Sequence, residues 1–319
     1  KEETDTRLDR WVKRRLPISQ SQVEKFLRSG QIRVDGSRCK ANFRVKTGME
    51  VRLPPVSKEV MGLKPEKKAV SDRVSQEDHD LIRNMIIYED DDLIVINKPV
   101  GMVVHPAPGS PSGTLVNALL HHYPDIAKLP RAGIVHRLDK DTTGLMVVAK
   151  NLAAQTDLVM QLQERTVSRE YEAVCMGTMT GGGRVEAPMA RHPNNRKKMA
   201  VVNFGGKDAI THYRLIKRYG HYTHVRCMLE TGRTHQIRVH MAHIKYPLVG
   251  DPQYAGRPRI PKGASNELID TLRGFGRQAL HARRLALIHP DTGEEISWEV
   301  DLPEDMQQLL AVLKTEDPA

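Results

Sequence analysis

A group of charged side chains lies between two apolar runs near the middle of the chain. Residues 133–150 read GIVHRLDKDTTGLMVVAK, so the string H-R-L-D-K-D is followed, after a short turn, by the apolar run Leu145 to Ala149. An apolar run of this length with turn residues at its ends indicates a buried strand. The pattern predicts that the carboxylate of Asp139 is held at a strand edge, rigid yet reachable. The alternative is that Asp139 and Asp141 are ordinary turn residues that bond their own backbone.

Histidines offer the main rival chemistry. His235, His240 and His243 lie close together, which is compatible with a metal-dependent hydrolase. However, H-x-x-x-x-H-x-x-H is not the i, i+4 pair of H-E-x-x-H, and no carboxylate follows at ligand spacing. Ordinary surface histidines explain the cluster better, so we expect no metal site. The chain also lacks G-x-x-x-x-G-K-[ST] and G-x-G-x-x-G, which argues against ATP or a dinucleotide and leaves no cofactor to expect.

The charge of the chain points to an anionic partner. Its 319 residues include 49 Lys and Arg against 39 Asp and Glu, a net charge of +10, and residues 1–56 contribute 14 − 7 = +7 of it. Such a surplus favours nucleic acid or a membrane surface. No apolar run reaches the length of a membrane span, and three cysteines without a C-x-x-C pair support neither a disulfide framework nor a zinc finger. We therefore expect a soluble protein of a reducing compartment.

The first 56 residues have the pattern of a small separate module. Helical spacing over Arg7–Leu16 and Gln20–Ser29 is followed by two extended pieces around the Asp35-Gly36 turn. Several basic residues lie on the polar side of these elements, namely Lys25, Arg28, Arg33 and Arg38. Each of them alone is best explained as a solvated surface residue. As a set on one module they favour contacts with RNA phosphates, which give affinity and salt dependence.

The remainder of the chain has the pattern of one larger domain. The polar stretch 57–80 predicts a linker, and residues 81–319 have a globular composition. Short strands, interspersed helices and many hairpin turns favour an α+β fold with a mixed, largely antiparallel sheet over a doubly wound parallel one. Side-chain alternation places Tyr171 and Cys175 on one face of a strand. The spacing also predicts a helix over 152–163 with Leu152, Val159 and Leu162 on one face.

Four stretches in fixed order resemble the RluA-type pseudouridine synthase family. They are NKPVGMVVHP (97–106), HRLDKDTTGLMVVAK (136–150), SREYEAV (168–174) and ETGRTHQIRVHMAH (230–243). The two helices and basic hairpin at the front resemble the S4-type RNA-binding domain, a small α/β module. The resemblance implies a pseudouridine-synthase catalytic domain that isomerises uridines in large-subunit ribosomal RNA. It also implies a cytoplasmic protein, or one of an organellar matrix in a eukaryote, that acts as a monomer.

The resemblance also implies roles for individual residues. Asp139 would be the catalytic carboxylate, and Arg238 would be the cation that keeps it ionised in a nearly dry pocket. Tyr171 would receive the uracil after it leaves its stack. Arg137 would fill the space left by the flipped nucleotide or hold its phosphate. The remaining expected contacts to the RNA in the pocket are Lys98, Thr234 and His235.

Three questions stay open at this point. A carboxylate can assist the reaction by adding to the ribose, by adding to the base, or by removing a sugar proton to leave a glycal. The front module and the catalytic half resemble two different branches of the family, so the target uridines are undecided. A non-catalytic RNA-binding or ribosome-assembly protein is a further alternative, although such a protein would not need Asp139, Tyr171 and Arg238 together.

Overall fold

The computed structural model describes residues 5–16, 20–53, 82–106, 110 and 112–316. The chain divides into two compact units, Lys1–Val74 and Ser75–Ala319. The linker expected over 57–80 lies outside the described residues. Among the residues described, no helix is long and apolar enough to cross a membrane.

The N-terminal unit packs two amphipathic helices against short strand pairs. Its elements are β1 (Thr6–Arg7), α1 (Leu8–Arg15), α2 (Gln20–Ser29), β2 (Arg33–Val34), β3 (Arg44–Val45) and β4 (Val51–Arg52). Strand β1 pairs with β3, and β2 pairs with β4, both antiparallel. The apolar stripes of the helices meet in a buried core that includes Leu8, Val12, Val23 and Leu27. The two helices that the spacing predicted are confirmed.

The C-terminal unit alternates strands with short helices. Its elements are β5 (Ile86–Glu89), β6 (Leu93–Lys98), α3 (Leu115–His122), β7 (Thr143–Ala149), α4 (Leu152–Glu164), β8 (Ser168–Met176), β9 (Gly183–Glu186), β10 (Met189–Arg191), β11 (Met199–Val201), β12 (Ile210–Tyr219), β13 (Tyr222–Leu229), α5 (Gln236–His243), α6 (Asn266–Gly274), β14 (Leu280–Ile288), β15 (Glu295–Glu299) and α7 (Glu304–Glu316).

Nine of these strands form one sheet. Their order is β5-β6-β7-β14-β8-β13-β12-β9, and β15 pairs with the part of β14 that follows its two residues paired with β7. Every neighbouring pair is antiparallel except β7 and β14, which run parallel over two residues. The expected α+β fold with a mixed, largely antiparallel sheet is confirmed. Strands β10 and β11 form a separate hairpin.

The sheet is covered by apolar residues on both faces. Tyr171, Ala173 and Cys175 of β8 lie in one core with Cys227, as their alternation predicted. Val174 and Met176 face a second core that includes residues of α6 and α7. Strand β7 is buried along its whole length. The central strands are therefore rigid supports for the loops at their ends.

The helix expected over 152–163 is confirmed as α4, but the face that carries Leu152 and Val159 is not its buried face. The structure leaves Leu152 61% exposed and Val159 37% exposed. The buried face instead includes Gln155 and Gln161, because their side-chain amides bond backbone groups of other segments. Leu162 and Val159 line an open cleft, which the next section describes.

Gly144 is required where β7 approaches β14. Its φ is +110°, and a Cβ at this position would lie 2.3 Å from the carbonyl oxygen of Ala282. Only glycine permits both that backbone conformation and that close approach. The tight crossing fixes the end of the loop that carries Asp139.

Candidate active site

The segment before Asp139 is fixed to β7 through the backbone. Ile134 forms an isolated antiparallel bridge with Val148. The amide of Val147 then donates to Nε2 of His136 at 3.0 Å. Burial lowers the pKa of His136 to about 3, so the ring is neutral and can accept this bond near pH 7. His136 therefore anchors the start of the H-R-L-D loop.

Three long side chains hold the loop from the other side. The ammonium of Lys98 donates to the carbonyl oxygen of Lys140 at 2.9 Å. Arg277 donates to the carbonyl oxygen of Asp141, and Gln278 donates to the hydroxyl of Thr142. Together with His136 they fix the position of Asp139, whose own carbonyl oxygen accepts from the amide of Thr142.

The structure does not place Lys98 in the pocket, where we expected it to contact RNA. Its side chain is fully buried, and its ammonium also donates to the carbonyl oxygens of Pro99 and Met102. Burial lowers the pKa of Lys98 to about 8, and the negative charges of Asp141 and Asp139 partly oppose that shift. Lys98 is a support for the loop rather than a pocket residue.

Arg238 joins two carboxylates. Its Nη1 donates to Oδ2 of Asp139 at 3.0 Å. Its Nε and Nη2 donate to Oδ2 and Oδ1 of Asp251 at 2.7 and 3.0 Å, a bidentate pair in which the Asp251 side chain is fully buried. Burial opposes the charge on Arg238, but the hydrogen bonds and charge of Asp251, and then Asp139, raise its pKa. The guanidinium is thus permanently charged and fixed in orientation.

His235 occupies the other side of Asp139. It adopts a left-handed conformation at the start of α5, with φ of 58°, and its Nε2 lies 3.8 Å from Oδ1 of Asp139. Its Nδ1 is hydrogen-bonded to the Tyr254 hydroxyl, which also accepts from the amide of Met199. Burial lowers the pKa of His235, although the charge of Asp139 acts in the opposite direction. Tyr254 also stacks near Arg238, 5.1 Å from its guanidinium carbon.

Tyr171 completes the inner wall of the site. It is buried on β8 and lines a small pocket with Asp139, His235 and Arg238. Burial raises the pKa of its hydroxyl, and the charge of Asp139 adds to that effect. The structure therefore brings together the three residues expected to be catalytic.

A larger cleft opens next to this pocket. Its volume is about 520 Å³, and its lining includes Arg137, Asp139 and Thr234. Arg137 is exposed and lines both the cleft and the inner pocket. A carboxylate, a fixed cation and an aromatic ring thus meet in a small pocket beside an open cleft that is lined by several arginines.

Comparison with known proteins gives the family. The model of the RNA pseudouridylate synthase family matches residues 92–243, and the S4 domain model matches residues 6–51. The Ribosomal large subunit pseudouridine synthase D of Pseudomonas aeruginosa is 52% identical over 301 residues, which is 94% of this chain and 89% of that protein. The chain belongs to the RNA pseudouridine synthase family. The resemblance read from the four motifs is confirmed.

Further relatives and a solved structure agree. The synthase is 55% identical over 284 residues to the Ribosomal large subunit pseudouridine synthase D of Pasteurella multocida, which covers 86% of this chain and 87% of that one. The structure named Human RNA Pseudouridylate Synthase Domain Containing 4 superposes with a TM-score of 0.59 at 26% identity, over 74% of this chain and 95% of that one.

The S4 domain of the synthase carries the other basic residues expected to contact RNA. Lys25, Arg28 and Arg38 are exposed. Arg33 is half-buried, and its guanidinium donates to the carbonyl oxygens of Gly30 and Gly36. Arg33 therefore stabilises the turn of its own domain, whereas the other three present their charges to solvent.

The histidine cluster does not form a metal site in the described part of the synthase. Both ring nitrogens of His240 are occupied, Nδ1 by the Thr211 hydroxyl and Nε2 by the Ala187 carbonyl oxygen. The one group whose spacing could hold an ion, among the residues described, is Asp90, Asp92 and His289. Its carboxylates and imidazole already bond one another and nearby amides.

Sequence reasoning missed Asp251, Tyr254 and Arg277. Asp251 follows Gly250 at a turn and has no distinguishing neighbour in the sequence. Arg277 and Gln278 begin the string R-Q-A-L-H-A. The one feature of the sequence that could have indicated a role for Arg277 is that these two polar residues stand directly before an apolar run. All three act on Asp139 through other residues or through the backbone of its loop.

Proposed function

We propose that this synthase converts specific uridines of large-subunit ribosomal RNA to pseudouridine, with Asp139 as the catalytic carboxylate. The names of its relatives, its S4 domain and its net charge of +10 support an RNA of this kind as substrate. In this proposal residues 1–56 bind the RNA, 57–80 connect the domains and 81–319 carry out the reaction. The synthase acts as a monomer without a cofactor, in the cytoplasm or an organellar matrix.

The observation that carries the proposal is the way Asp139 is held. One of its oxygens, Oδ2, accepts from Arg238, while Oδ1 has Nε2 of His235 3.8 Å away, and Asp139 lines both the inner pocket and the cleft. A carboxylate in this arrangement has a permanent cation at one oxygen and retains the other oxygen for substrate. It can therefore act as a nucleophile or as a base.

The reaction is an isomerisation. The bond between N1 of uracil and C1′ of ribose breaks, and a bond between C5 and C1′ forms. The hydrogen on C5 leaves to water as a proton, and N1 takes up a proton from water, so no redox equivalent is needed. The three routes by which Asp139 could assist remain alternatives.

The target nucleotide must leave its stack before this chemistry. Tyr171 offers an aromatic surface beside Asp139 for the flipped uracil. Arg137 lies at the mouth of the pocket with an exposed guanidinium, where it can take the place of the nucleotide or hold its phosphate. Unstacking costs a few kcal/mol, roughly the amount that stacking on one aromatic side chain returns.

The test uses a large-subunit ribosomal RNA transcript that carries tritium at C5 of uracil, with EDTA present. Wild type should release tritium to water, and Asp139→Ala should release none while binding the RNA with similar affinity. Asp141→Asn is the matched control, since it removes a carboxylate two residues away in the same loop. Loss of release with Asp141→Asn alone, or release by Asp139→Ala, would overturn the assignment. RNA binding without release by wild type would instead favour a non-catalytic binding protein.

A further inference from the structure

Among the residues that the structure describes, Arg169 is a buried cation without an anionic partner. It lies on β8 two residues before Tyr171, so both side chains point to the same face of the sheet. Arg169 is 6% exposed. Its Nη2 donates to the carbonyl oxygen of Glu230 over 3.4 Å, its Nε has no hydrogen-bond partner, and no carboxylate of the described residues lies within 4.0 Å of it.

This arrangement is costly for the free protein. A buried guanidinium normally pairs with a carboxylate, because an unpaired charge loses its hydration without compensation. Burial accordingly lowers the pKa of Arg169. The guanidinium of Arg169 packs closely on Gly232, since a Cβ at that glycine would lie 2.6 Å from Nη1 of Arg169.

The surroundings of Arg169 suit an anion. It lines the cleft of about 520 Å³ that begins at Asp139, and further arginines of the same wall are Arg131, Arg137, Arg165 and Arg233. The acidic residue nearest to it in the lining, Glu230, is already engaged by Arg165 and His212. The positive charge of the wall therefore exceeds what its own carboxylates neutralise.

We propose that Arg169 binds a backbone phosphate of the RNA strand that carries the target nucleotide. The inference rests on the proposed function, because it assigns a phosphate subsite to the same cleft. Arg169 lacks a negative charge nearby and acceptors for its remaining N–H groups, and a phosphate supplies both. A base is a less suitable ligand, because its neutral edge would leave the buried positive charge of Arg169 uncompensated. Arg169 acts in binding and positioning, and its substitution should not change which chemical route is followed.

The experiment replaces Arg169 with methionine, which is apolar and of similar length, and with lysine, which keeps the charge. Arg184→Met is the matched control, an exposed arginine of β9 that is paired with Glu186. Three quantities are measured for each variant: the melting temperature without RNA, the Kd for the ribosomal RNA transcript over a range of salt, and tritium release from the labelled transcript.

We expect Arg169→Met to weaken binding about tenfold or more, as loss of a charge-assisted hydrogen bond does. The slope of log K against log salt should fall by about 0.7–0.9, the value for one phosphate contact. The melting temperature of the free variant should equal or exceed that of the wild type, because an uncompensated charge has gone. Arg169→Lys should keep the wild-type slope, and Arg184→Met should keep the wild-type Kd.

Two results would overturn the inference. One is a wild-type Kd and salt slope for Arg169→Met. The other is a lower melting temperature for this variant, which would show that Arg169 stabilises the protein itself. The proposed function is judged separately by tritium release from wild type. If wild type binds but releases none, that function fails, and the binding comparison still decides whether Arg169 contacts a phosphate.

Discussion

Asp251→Asn should disturb the position of the Arg238 guanidinium while Arg238 itself keeps its positive charge. The Asp251 carboxylate is fully buried and accepts from Nε and Nη2 of Arg238 and from the amides of Gln253 and Tyr254. Asparagine has nearly the same volume, and its single carbonyl oxygen can keep the bonds now made by Oδ1. Its NH₂ group, however, would face the Nε–H of Arg238, donor against donor.

The cost can be estimated from this geometry. Breaking a buried ion pair by removing one charge costs about 3–5 kcal/mol, and we expect the lower end, about 3 kcal/mol, because three of the four hydrogen bonds can persist. In a domain of this size that corresponds to a melting temperature roughly 6–12 °C lower. A guanidinium displaced by about 1 Å should lower kcat for tritium release about 100-fold. The Kd for RNA should stay near the wild-type value.

Asp305→Asn is the matched control for this prediction. Asp305 makes the same bidentate pair with Arg277, at 2.6 and 2.8 Å, but its side chain is 44% exposed. We expect a cost of about 1 kcal/mol or less and a kcat close to wild type. A folded Asp251→Asn variant with wild-type kcat would refute the claim that Asp251 positions Arg238.

Three further predictions concern the supporting structure. The pKa of His136 is about 3 in the folded protein, below its ordinary value of 6.5. On acidification the unfolded chain therefore binds a proton at His136 at a higher pH than the folded protein does, and the free energy of unfolding falls between those two pH values. His136→Gln should remove about 2 kcal/mol of the stability loss between pH 7 and pH 5, measured by urea unfolding. Gly144→Ala should destabilise by roughly 3 kcal/mol or more, whereas Gly181→Ala, in open space, should change the unfolding free energy by less than about 0.5 kcal/mol. A thiol reagent should label the half-buried Cys39 in the native protein and all three cysteines after unfolding.

The parts of the fold that depend on local pattern were predictable from the sequence. Strand β7 is a continuous apolar run, and side-chain alternation placed Tyr171 and Cys175 in one core. The two N-terminal helices follow from their apolar spacing. The meeting of Asp139 and Arg238, 99 residues apart, followed only from the resemblance of whole motifs, because spacing carries no information on contacts over that distance.

The residues that were misjudged are polar groups buried by long-range contacts. Lys98 resembles a pocket residue in its motif, but its ammonium is used by three carbonyl oxygens that the sequence cannot place. Gln155 and Gln161 are buried in α4 for the same reason, while Leu152 is left exposed. Hydrophobic periodicity ranks side chains by polarity, so it cannot identify polar side chains whose burial is compensated by distant backbone groups.

The carboxylate of Asp251 explains how Asp139 can be paired with Arg238 and still have an oxygen available for the substrate. If Arg238 faced Asp139 alone, the favoured geometry would be a bidentate pair that occupies both oxygens of the catalytic carboxylate. Asp251 instead takes Nε and Nη2, which leaves only Nη1 for Asp139. One oxygen of Asp139, Oδ2, is thereby held by Arg238, while Oδ1 is left out of that ion pair. Two carboxylates share one guanidinium, so the support of the catalytic carboxylate does not occupy both of its oxygens.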